Sequence, residues 1–567
     1  MESTHRTRSR IRGAAMWLLL PRLRAPLIAL IVTYSVSILG LVLIPGQAPD
    51  GGVYYLSFLD AFFVVSYTAT TIGFGEIPHP FTAQQKLWML FVMYSTVIAW
   101  LYAIGSVLSV ISDPGFRRLR VYQRTVGRIQ ARKQPFWIVC GYGGAGNQVI
   151  RFMDQSGIRS VMIDSDQTRA DTAKLSDMTY ELDVLVGDAS EPQTLVDAGV
   201  QSALCRGVLA LTDHNQTNLT IATNTRILAP RVPVHARSES DANTRNLRSF
   251  NTDVVIDPCR VAAHSLTQLI RKPRAFALYH ELVDPDFNRI EFLNVPDSGH
   301  WIVCAGDRLA DTITEAFLRA EIPFCLVSPE VSTIGDSITW VQGLGTEANT
   351  LRQARIAEAV GIVAGTNDDG DNLSILLTAQ TENECLITVA RRNKPTSEPV
   401  FRQGNFHHVL REGRIIAQEM YARITTPLLH QFIGQLEVMP EALVQGIIEK
   451  LNLRLGNQSP ELAHFDMSLD AQDAPGVLPF LNTARAPKVG DLLVDPGADH
   501  LNMPLICLLL VRINGDVVPF PGEDLSLEEN DRLLLWGATG SHQRLHLLIR
   551  RADLFESVLS SRRKTAG

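Results

Sequence analysis

The sequence predicts an α-helical hairpin that spans a membrane twice, followed by two α/β Rossmann-type lobes and a small α+β lobe near the C-terminus. Three observations predict this fold class. Two uncharged apolar runs near the N-terminus are each about as long as a membrane-crossing helix. Short apolar runs then alternate with helix-like stretches, and this pattern occurs twice. The last part of the chain has further short apolar runs separated by Gly-Asp and Asn-Asp turns.

Length and composition narrow the possible functions. A chain of 567 residues needs several domains, because single cores stop growing near 250 to 300 residues, roughly. The formal net charge is -7, so nucleic acid is not a predicted partner. All seven cysteines follow the apolar runs without a Cys-x-x-Cys pair, which predicts buried, reduced cytosolic thiols. Cys259 and His264 can share a helix face, but two ligands do not complete a zinc site, so no metal centre is predicted.

The two apolar runs lie at residues 26–44 and 87–111. The first has 19 residues, close to the roughly 20 that a helix needs to cross the hydrocarbon. Arginines are concentrated in residues 1–25 and 113–134, whereas Lys86 is the only basic residue within and between the runs. The positive-inside rule therefore predicts a multi-pass protein of the cell inner (plasma) membrane with both termini in the cytoplasm. The basic N-terminus is predicted to contact membrane lipid phosphates.

A third apolar segment, residues 57–70, is too short to cross and predicts a re-entrant or buried helix. It leads directly into residues 71–75, which read Thr71, Ile72, Gly73, Phe74 and Gly75. A pore that replaces a cation's hydration shell needs successive carbonyl oxygens facing one axis. The two glycines permit the necessary backbone angles, and the Thr71 hydroxyl adds a further oxygen. Ile72 and Phe74 are predicted to turn outward and pack behind this segment.

One chain supplies only one wall of such a pore, so residues 71–75 predict a homotetramer. The helix at 57–70 is expected to aim its negative dipole end at the cation, with Asp60 near the opposite, positive end.

Residues 71–75 resemble the selectivity filter of the potassium channel family, which reads Thr-Val-Gly-Tyr-Gly; isoleucine stands at 72 and phenylalanine at 74. The resemblance implies a two-span pore domain at residues 26–112, with potassium as the permeant ion and no other metal. Phe74 lacks the hydroxyl that usually bonds to aromatic side chains behind the filter, which implies weaker selectivity or a less stable filter. Neither span carries the repeated arginines of a voltage sensor. Gly105 in the second span is either a gating hinge or a close helix contact.

The region after the hairpin contains a duplicated domain. The sequence WIVC at Trp137 recurs at Trp301, and a longer motif at Gly207 recurs at Gly361, which is 154 positions later (361 − 207). A period of this length indicates two related domains rather than a solenoid. Within each copy, short apolar runs alternating with helix-like stretches predict parallel strands joined by crossover helices, the Rossmann-type arrangement.

The first copy has a glycine-rich motif between a predicted strand and a predicted helix, with Gly141, Gly143 and Gly146 as its glycines. Gly143 is expected to let the backbone approach a pyrophosphate at the helix N-terminus. Asp164 ends the next strand, 23 residues after Gly141 (164 − 141), where an acid bonds ribose hydroxyls. This acid would repel a 2′-phosphate, so NAD(H) or an adenine nucleotide is favoured over NADP. Asp188 follows the third apolar run and is either a contact to the adenosine end or a solvated loop acid.

The second copy departs from this motif. In register with WIVC, its three glycines are replaced by Ala305, Asp307 and Ala310. Asp307 is expected to place negative charge where phosphate would sit, so this copy is predicted to have lost the dinucleotide site and to serve assembly or bind something else. A later acidic turn does not have the spacing of a calcium loop, which favours a solvated turn over a cation site; its acids are Asp368, Asp369 and Asp371.

A pore domain followed by two such lobes resembles prokaryotic potassium channels with tandem RCK (regulator of potassium conductance) domains of the TrkA-N type, over roughly residues 26–430. The resemblance implies a tetramer whose eight lobes form a cytoplasmic ring, with a nucleotide as the effector of the pore. The implied domains are a linker at 113–134, a first RCK domain at 135–298, the N-lobe of a second at 299–430, an unassigned segment at 431–484, a C-lobe at 485–550 and a tail at 551–567.

Two other functions stay open. The glycine-rich motif alone also fits a membrane-anchored NAD-dependent oxidoreductase. No acid and base pair is tied to the motif in the sequence, so the chain is not predicted to be an enzyme. A regulatory subunit of a separate cation transporter is the second alternative, and residues 71–75 disfavour it. The sequence does not choose among NAD, NADH, ADP and ATP, or between opening and closing of the pore.

Overall fold

The computed structural model describes residues 2–565 apart from 77, 284–293, 297, 331–337, 426, 456–461, 482, 484–485 and 498–500. The chain forms two compact units, residues 1–128 and 129–567.

The first unit is a helical hairpin with a short helix between its arms. Its elements are α1 (Glu2–Leu43), β1 (Gly46–Gln47), β2 (Val53–Tyr54), α2 (Phe58–Ala69), α3 (Ala83–Ser112) and α4 (Pro114–Gln130). Residues 23–43 of α1 and the whole of α3 are long and apolar enough to cross a membrane, and 22% of each apolar stretch is buried within the chain. Helix α3 starts earlier than the predicted 87 because Thr82 and Gln85 form a capping box at its N-terminus.

The two long helices pack closely around one glycine. A Cβ at Gly40 would lie 2.1 Å from the Trp88 ring, so the tryptophan of α3 fits only against a residue without a side chain. Trp88 Nε1 also donates to the carbonyl oxygen of Ser37 at 3.1 Å. Further along, Trp100 Nε1 donates to the Tyr34 hydroxyl at 3.2 Å. These contacts hold α1 against α3 and leave most of their apolar side chains facing outward.

The second unit begins with an α/β lobe that we call the first repeat. Its elements are β3 (Phe136–Cys140), α5 (Gly144–Gln155), β4 (Arg159–Asp164), α6 (Gln167–Leu175), β5 (Asp183–Val186), α7 (Pro192–Asp197), β6 (Cys205–Ala210), α8 (Asn215–Leu228), β7 (Val234–Arg237), α9 (Asp241–Ser249), β8 (Val254–Ile256), α10 (Pro258–Arg271) and α11 (Pro273–Val283). The strands form one six-stranded parallel sheet in the order β5-β4-β3-β6-β7-β8.

The second repeat has the same design. Its elements are β9 (His300–Cys304), α12 (Asp307–Arg319), β10 (Phe324–Ser328), β11 (Thr339–Gln342), α13 (Ala348–Gln353), β12 (Ala359–Ala364), α14 (Asp369–Glu382), β13 (Ile387–Arg392), α15 (Glu398–Gln403), β14 (His408–Arg411) and α16 (Glu412–Thr425), with short 3₁₀ turns at Ile356–Glu358 and Pro395–Ser397. Its parallel sheet runs β11-β10-β9-β12-β13-β14, the equivalent order. The predicted pair of Rossmann-type lobes is therefore confirmed.

Each repeat packs one of its C-terminal helices on the other repeat. Helix α10 of the first repeat packs on α12 of the second, and α16 of the second repeat packs on α5 of the first. A Cβ at Gly413 would lie 2.6 Å from the backbone of Gly144, so the start of α16 touches the start of α5. At the other end, the Tyr421 ring lies 5.7 Å from that of Phe152, edge to face. The two helices therefore run in the same direction along their whole contact.

The C-terminal lobe is larger than predicted. It contains α17 (Pro427–Val438), α18 (Glu441–Leu455), β15 (Leu462–Ser468), α19 (Leu478–Leu481), α20 (Val489–Leu492), β16 (Leu505–Val511), β17 (Val517–Pro519), β18 (Arg532–Ala538), α21 (Thr539–Arg550) and α22 (Ala552–Thr565). Its sheet is antiparallel in the order β15-β18-β16-β17, which confirms the α+β class.

Two predicted limits of this lobe are corrected. The unassigned segment 431–484 contributes a strand, because β15 pairs with β18 over its whole length, from Leu462 opposite Ala538. The predicted tail 551–567 is a helix over most of its length, and its Phe555 is fully buried in the core of the lobe. The segment between the repeats falls largely at residues 284–293, outside the described residues.

The seven cysteines are free thiols. Five are buried as predicted, whereas Cys259 is half-buried and Cys385 is exposed. Burial raises the pKa of Cys205 to about 11 and that of Cys259 to about 11, so both stay protonated at neutral pH. Among the residues that the structure describes, no group of three or more metal-ligating side chains converges.

Candidate functional site

Helix α2 ends directly at the filter-like segment. Ser57 caps its N-terminus by accepting from the backbone amide of Asp60, and Thr70 ends the helix. The amide of Ile72 still donates to the carbonyl oxygen of Tyr67 at 2.9 Å, which turns the chain sharply out of the helix. Residues 71–75 thus leave the C-terminal, negative end of the helix dipole, as the sequence predicts.

The backbone of residues 71–75 alternates in handedness. The φ angles of Thr71, Gly73 and Gly75 are 62°, 66° and 99°, whereas those of Ile72 and Phe74 are not positive. Glycine adopts positive φ without cost, but threonine does not, and such a conformation costs of order 1–3 kcal/mol. A Cβ at Gly73 or Gly75 would meet nothing within 4 Å, so one side of the segment is open in the single chain.

Aromatic side chains from α2 support the segment from behind. The Phe74 ring stacks on Phe63, with centroids 5.9 Å apart, and meets the edge of Tyr67 at 5.6 Å. The Tyr67 hydroxyl donates to the carbonyl oxygen of Gly75. Phe74 therefore contacts two rings of α2, although it is 62% exposed in the single chain, and Tyr67 supplies a hydroxyl in the layer behind the segment. Ile72 is 61% exposed and makes no comparable contact in the single chain.

The first repeat has a cleft of about 400 Å³ at the carboxyl edge of its sheet. Two of the three glycines of the motif have a steric role there. Gly141 has a φ of +98°, and a Cβ built on it would lie 3.1 Å from the backbone of Leu211. A Cβ at Gly146 would lie 1.9 Å from the carbonyl oxygen of Gly141, so only glycine lets α5 approach β3 this closely. Gly143 is the N-cap of α5 and faces the cleft.

The two predicted acids line this cleft in different ways. Asp164 is 6% exposed; its Oδ2 accepts from the amide of Tyr142 at 2.6 Å and its Oδ1 from that of Asp166 at 2.8 Å. A carboxylate has about four lone-pair sites, so each oxygen can still accept from a hydroxyl. Asp188 is exposed at the cleft rim and accepts from the amide and hydroxyl of Ser190 at 2.8 and 2.7 Å. Asp188 is thus a loop acid that also borders the cleft.

Two charged residues that sequence reasoning missed, Arg169 and Asp213, lie in the cleft beside the glycine-rich motif. The Arg169 guanidinium is 46% exposed and lies 4.0 Å from Asp164, 3.9 Å from Asp166 and 3.9 Å from Asp213. Its Nη1 lies 4.0 Å from the position of a Cβ on Gly143, next to the motif. Asp213 follows β6, and its oxygens lie 3.6 Å from that same position. No spacing rule in the sequence identifies either residue. Arg169 follows β4 and Asp213 follows β6, and only the strand order places these two strands on either side of β3.

The loop after the first strand differs in the second repeat, and its predicted register needs correction. The N-cap of α12 is Gly306, the counterpart of Gly143, whereas Asp307 is the first helical residue. The loop between strand and helix is one residue shorter here, which the WIVC register did not reveal. The backbone of Asp307 therefore matches that of Gly144; its side chain lies outside the described residues. Ala305 follows β9 as Gly141 follows β3, and its Cβ lies 3.3 Å from the position of a Cβ on Gly365.

Two acids of the acidic turn in the second repeat already accept hydrogen bonds from backbone amides. Asp368 caps α14 by accepting from the amides of Gly370 and Asp371 at 2.8 and 3.1 Å. Asp369 accepts from the amide of Asn393 at 2.7 Å and from that of Lys394 at 3.1 Å. The acidic turn caps α14, and Asp369 is buried at 6% exposure rather than solvated as predicted.

These features define the class of the molecule: a membrane-length helical hairpin with a filter-like segment, followed by tandem nucleotide-binding-type α/β lobes. Both lobes are TrkA-N domains, since the family model of that name matches residues 137–258 and 301–412. The predicted tandem domains of the TrkA-N type are thereby confirmed.

The chain is also similar to proteins described as potassium channels. Potassium channel protein 1 of Methanocaldococcus jannaschii is 25% identical over 226 residues, which cover 40% of this chain and 66% of that protein. The voltage-gated potassium channel Kch of Escherichia coli is 23% identical over 254 residues, 45% of this chain and 56% of that one. The matches span two thirds or less of these relatives. The solved structure of the GsuK channel bound to NAD is 16% identical, covers 96% of this chain and 100% of its own, and has a TM-score of 0.44.

Proposed function

We propose that this chain is the subunit of a homotetrameric, potassium-selective channel whose opening is controlled by NAD(H) or an adenine nucleotide. The observation that carries the proposal is the segment Thr71–Gly75, which leaves the C-terminal end of α2 between two helices of membrane-crossing length. The description of the relatives as potassium channels supports the same function.

The geometry of residues 71–75 suits ion coordination. Alternating φ signs let successive carbonyl groups face the same side, as a ring of oxygen ligands requires. The side opposite the aromatic layer is open, since no atom lies within 4 Å of a Cβ on Gly73 or Gly75. Three further copies would close this side around an axis, and irregular backbone at membrane depth is stable only when it lines such a cavity. Outward-facing apolar side chains on α1 and α3 supply surfaces for lipid and for the neighbouring copies.

The cleft of the first repeat is the proposed nucleotide site. The amides at the start of α5 and the guanidinium of Arg169 would hold the phosphates, and Asp164 would accept from ribose hydroxyls. The same carboxylate disfavours a 2′-phosphate, which selects NAD(H) and adenine nucleotides against NADP. The nucleotide acts as an effector rather than a reactant, so the proposed protein is not an enzyme.

Nucleotide can change opening only by binding one state of the channel more tightly than the other. A coupling free energy of 1–3 kcal/mol, roughly, corresponds to a change of about 5- to 150-fold in the opening equilibrium. The proposed location is the cell inner (plasma) membrane, with two spans and both termini in the cytoplasm.

The test is potassium and sodium flux into liposomes that contain the purified full chain, with and without NAD, NADH, ADP or ATP. Selective flux that changes with nucleotide is expected. The Gly73→Ala variant, strained at φ 66°, should lose flux and keep nucleotide binding. A chain without flux under any ligand would contradict the channel and favour a regulatory subunit. Stoichiometric hydride transfer from bound NADH would instead favour an oxidoreductase.

A further inference from the structure

A line of alternating charges runs from the cleft of the first repeat into the second repeat. Arg169 Nη1 lies 3.9 Å from Asp213 Oδ2, and Arg237 Nη1 donates to Asp213 Oδ1 at 2.9 Å. Arg237 Nη2 also donates to Glu412 Oε1. The other oxygen of Glu412 lies 3.9 Å from Arg391 Nη2. We call these five side chains the charge ladder.

The end of the charge ladder in the cleft is available to a ligand. Arg169 is 46% exposed, and its three carboxylate neighbours lie at 3.9 to 4.0 Å, longer than a charge-assisted hydrogen bond. A phosphate at the start of α5 would offer it a short, bidentate partner. Binding of phosphate therefore competes with Asp213 for this guanidinium.

The centre of the charge ladder is buried. Arg237 is 10% exposed and pairs with Asp213, Glu239 and Glu412 together. Burial lowers the pKa of Arg237, but these carboxylates raise it further, so the net pKa lies above the ordinary value and the group stays charged. Charges interact more strongly in such a poorly solvated position than in water. A change in the interaction of Asp213 with Arg237 therefore alters the interaction of Arg237 with Glu412, because both carboxylates share this guanidinium.

The far end of the charge ladder is joined to the second repeat. Glu412 is the first residue of α16, and Gly413 beside it contacts the backbone of Gly144 in the glycine-rich motif. Arg391 is the counterpart of Arg237, 154 positions later (391 − 237), and also donates to Asn367 Oδ1 at 2.7 Å. The second repeat thus has this arginine although Gly306 is its one counterpart to the glycines of the motif.

We propose that the second repeat senses phosphate in the cleft of the first repeat through the charge ladder, with Arg237 and Glu412 as the link. Phosphate draws Arg169 away from Asp213, Asp213 then attracts Arg237 more strongly, and Arg237 loosens its hold on Glu412 at the start of α16. This mechanism rests on the proposed nucleotide site and assigns the second repeat the role of receiver.

The experiment is hydrogen exchange of the full chain in detergent, with and without saturating ADP or NAD. In the wild type, nucleotide should change exchange both in residues 141–147 and in residues 408–425. Glu412→Gln should still bind ADP and show the change at 141–147, but lose the change at 408–425. Glu412→Asp keeps the charge and should retain the response.

Glu398→Gln is the matched control. Glu398 belongs to the second repeat, is 27% exposed and pairs with Arg392 and Arg411 outside the charge ladder. This variant should respond like the wild type. Arg169→Gln changes an exposed residue at the other end and should remove the response at 408–425 even when ADP is saturating.

The outcomes separate the two proposals. A wild-type response at 408–425 in Glu412→Gln or Arg169→Gln would overturn the charge ladder, as would an equal loss in Glu398→Gln. Nucleotide binding by the wild type without any change at 408–425 would overturn it as well, and would leave the nucleotide site standing. Failure of the wild type to bind ADP or NAD would remove the nucleotide site and the ladder together.

Discussion

The hydroxyl of Tyr67 donates a hydrogen bond to the carbonyl oxygen of Gly75, and this joins α2 to the last residue of the filter-like segment. Tyr67→Phe removes this bond and should lower the ratio of potassium to sodium flux, because the segment loses a support behind it. A hydrogen bond contributes about 1 kcal/mol net, which is roughly a 5-fold change in an equilibrium. Tyr34→Phe is the control, since its hydroxyl bonds Trp100 away from the segment. Equal selectivity in Tyr67→Phe and Tyr34→Phe would contradict this role.

Gly143→Asp should abolish binding of NAD and ADP while leaving a selective pore. A carboxylate there would point into the cleft, where a Cβ already lies 3.6 Å from both oxygens of Asp213, and would repel phosphate. Gly306→Asp changes the equivalent N-cap in the second repeat, where a Cβ meets nothing within 4 Å. Calorimetric titration with ADP should show lost binding in the first variant and wild-type binding in the second. Unchanged affinity in Gly143→Asp would remove the first repeat from nucleotide control.

Gly40→Val should prevent assembly of the membrane hairpin, because a Cβ at Gly40 would lie 2.1 Å from the Trp88 ring. Overpacking of this kind costs typically 1–3 kcal/mol, roughly, and here the obstacle is a large rigid ring. Gly105→Ala is the matched change in α3, where a Cβ meets nothing within 4 Å in the single chain. Size-exclusion chromatography should show an intact oligomer for Gly105→Ala only. An intact, conducting Gly40→Val channel would contradict the packing of α1 on α3.

His264 and Glu437 should make stability depend on pH. His264 Nε2 donates a hydrogen bond to Glu437 Oε1 at 3.1 Å, and this bond raises the pKa of His264 and lowers the pKa of Glu437. Because the pKa of His264 is raised by folding, the histidine stabilises the fold fully at pH values below its unfolded-state pKa, about 6.5. This stabilisation is lost as pH rises through the folded-state pKa. Because the pKa of Glu437 is lowered by folding, the glutamate stabilises the fold at pH values above its unfolded-state pKa, about 4.3. This stabilisation is lost as pH falls through the folded-state pKa.

The measurement is the difference in melting temperature between wild type and His264→Gln from pH 6 to 8, roughly the range over which the histidine loses its proton. The wild-type advantage should shrink as pH rises, by a modest amount, since His264 is 51% exposed. His430→Gln is the control. Burial lowers the pKa of His430, so the contribution of this histidine to stability should not decrease between pH 6 and 8, roughly. A difference in melting temperature between wild type and His264→Gln that increases from pH 6 to 8, roughly, would contradict the ion pair.

Much of the fold could be predicted because its signals are local. The apolar runs that become α1 and α3, the short helix before Thr71 and the WIVC strands are each visible in a window of one element. The glycine-rich motif was visible for the same reason, since its loop joins β3 directly to α5. Strand β15 was missed although Ala463, Phe465 and Met467 alternate with polar residues, because the run is short and its partner β18 is about 70 residues away.

The sequence by itself determined which chemical groups each repeat has: glycines that fit a phosphate loop in the first, and alanines with a shorter loop in the second. Only the tertiary structure decided which charges meet. Arg169 and Asp213 follow β4 and β6, Arg237 ends β7, and Glu412 comes from the other repeat. Parallel strand order and the packing of α10 and α16 on the opposite repeat bring them together, and such non-local contacts leave no period or motif in the sequence, because they depend on how the whole chain crosses itself.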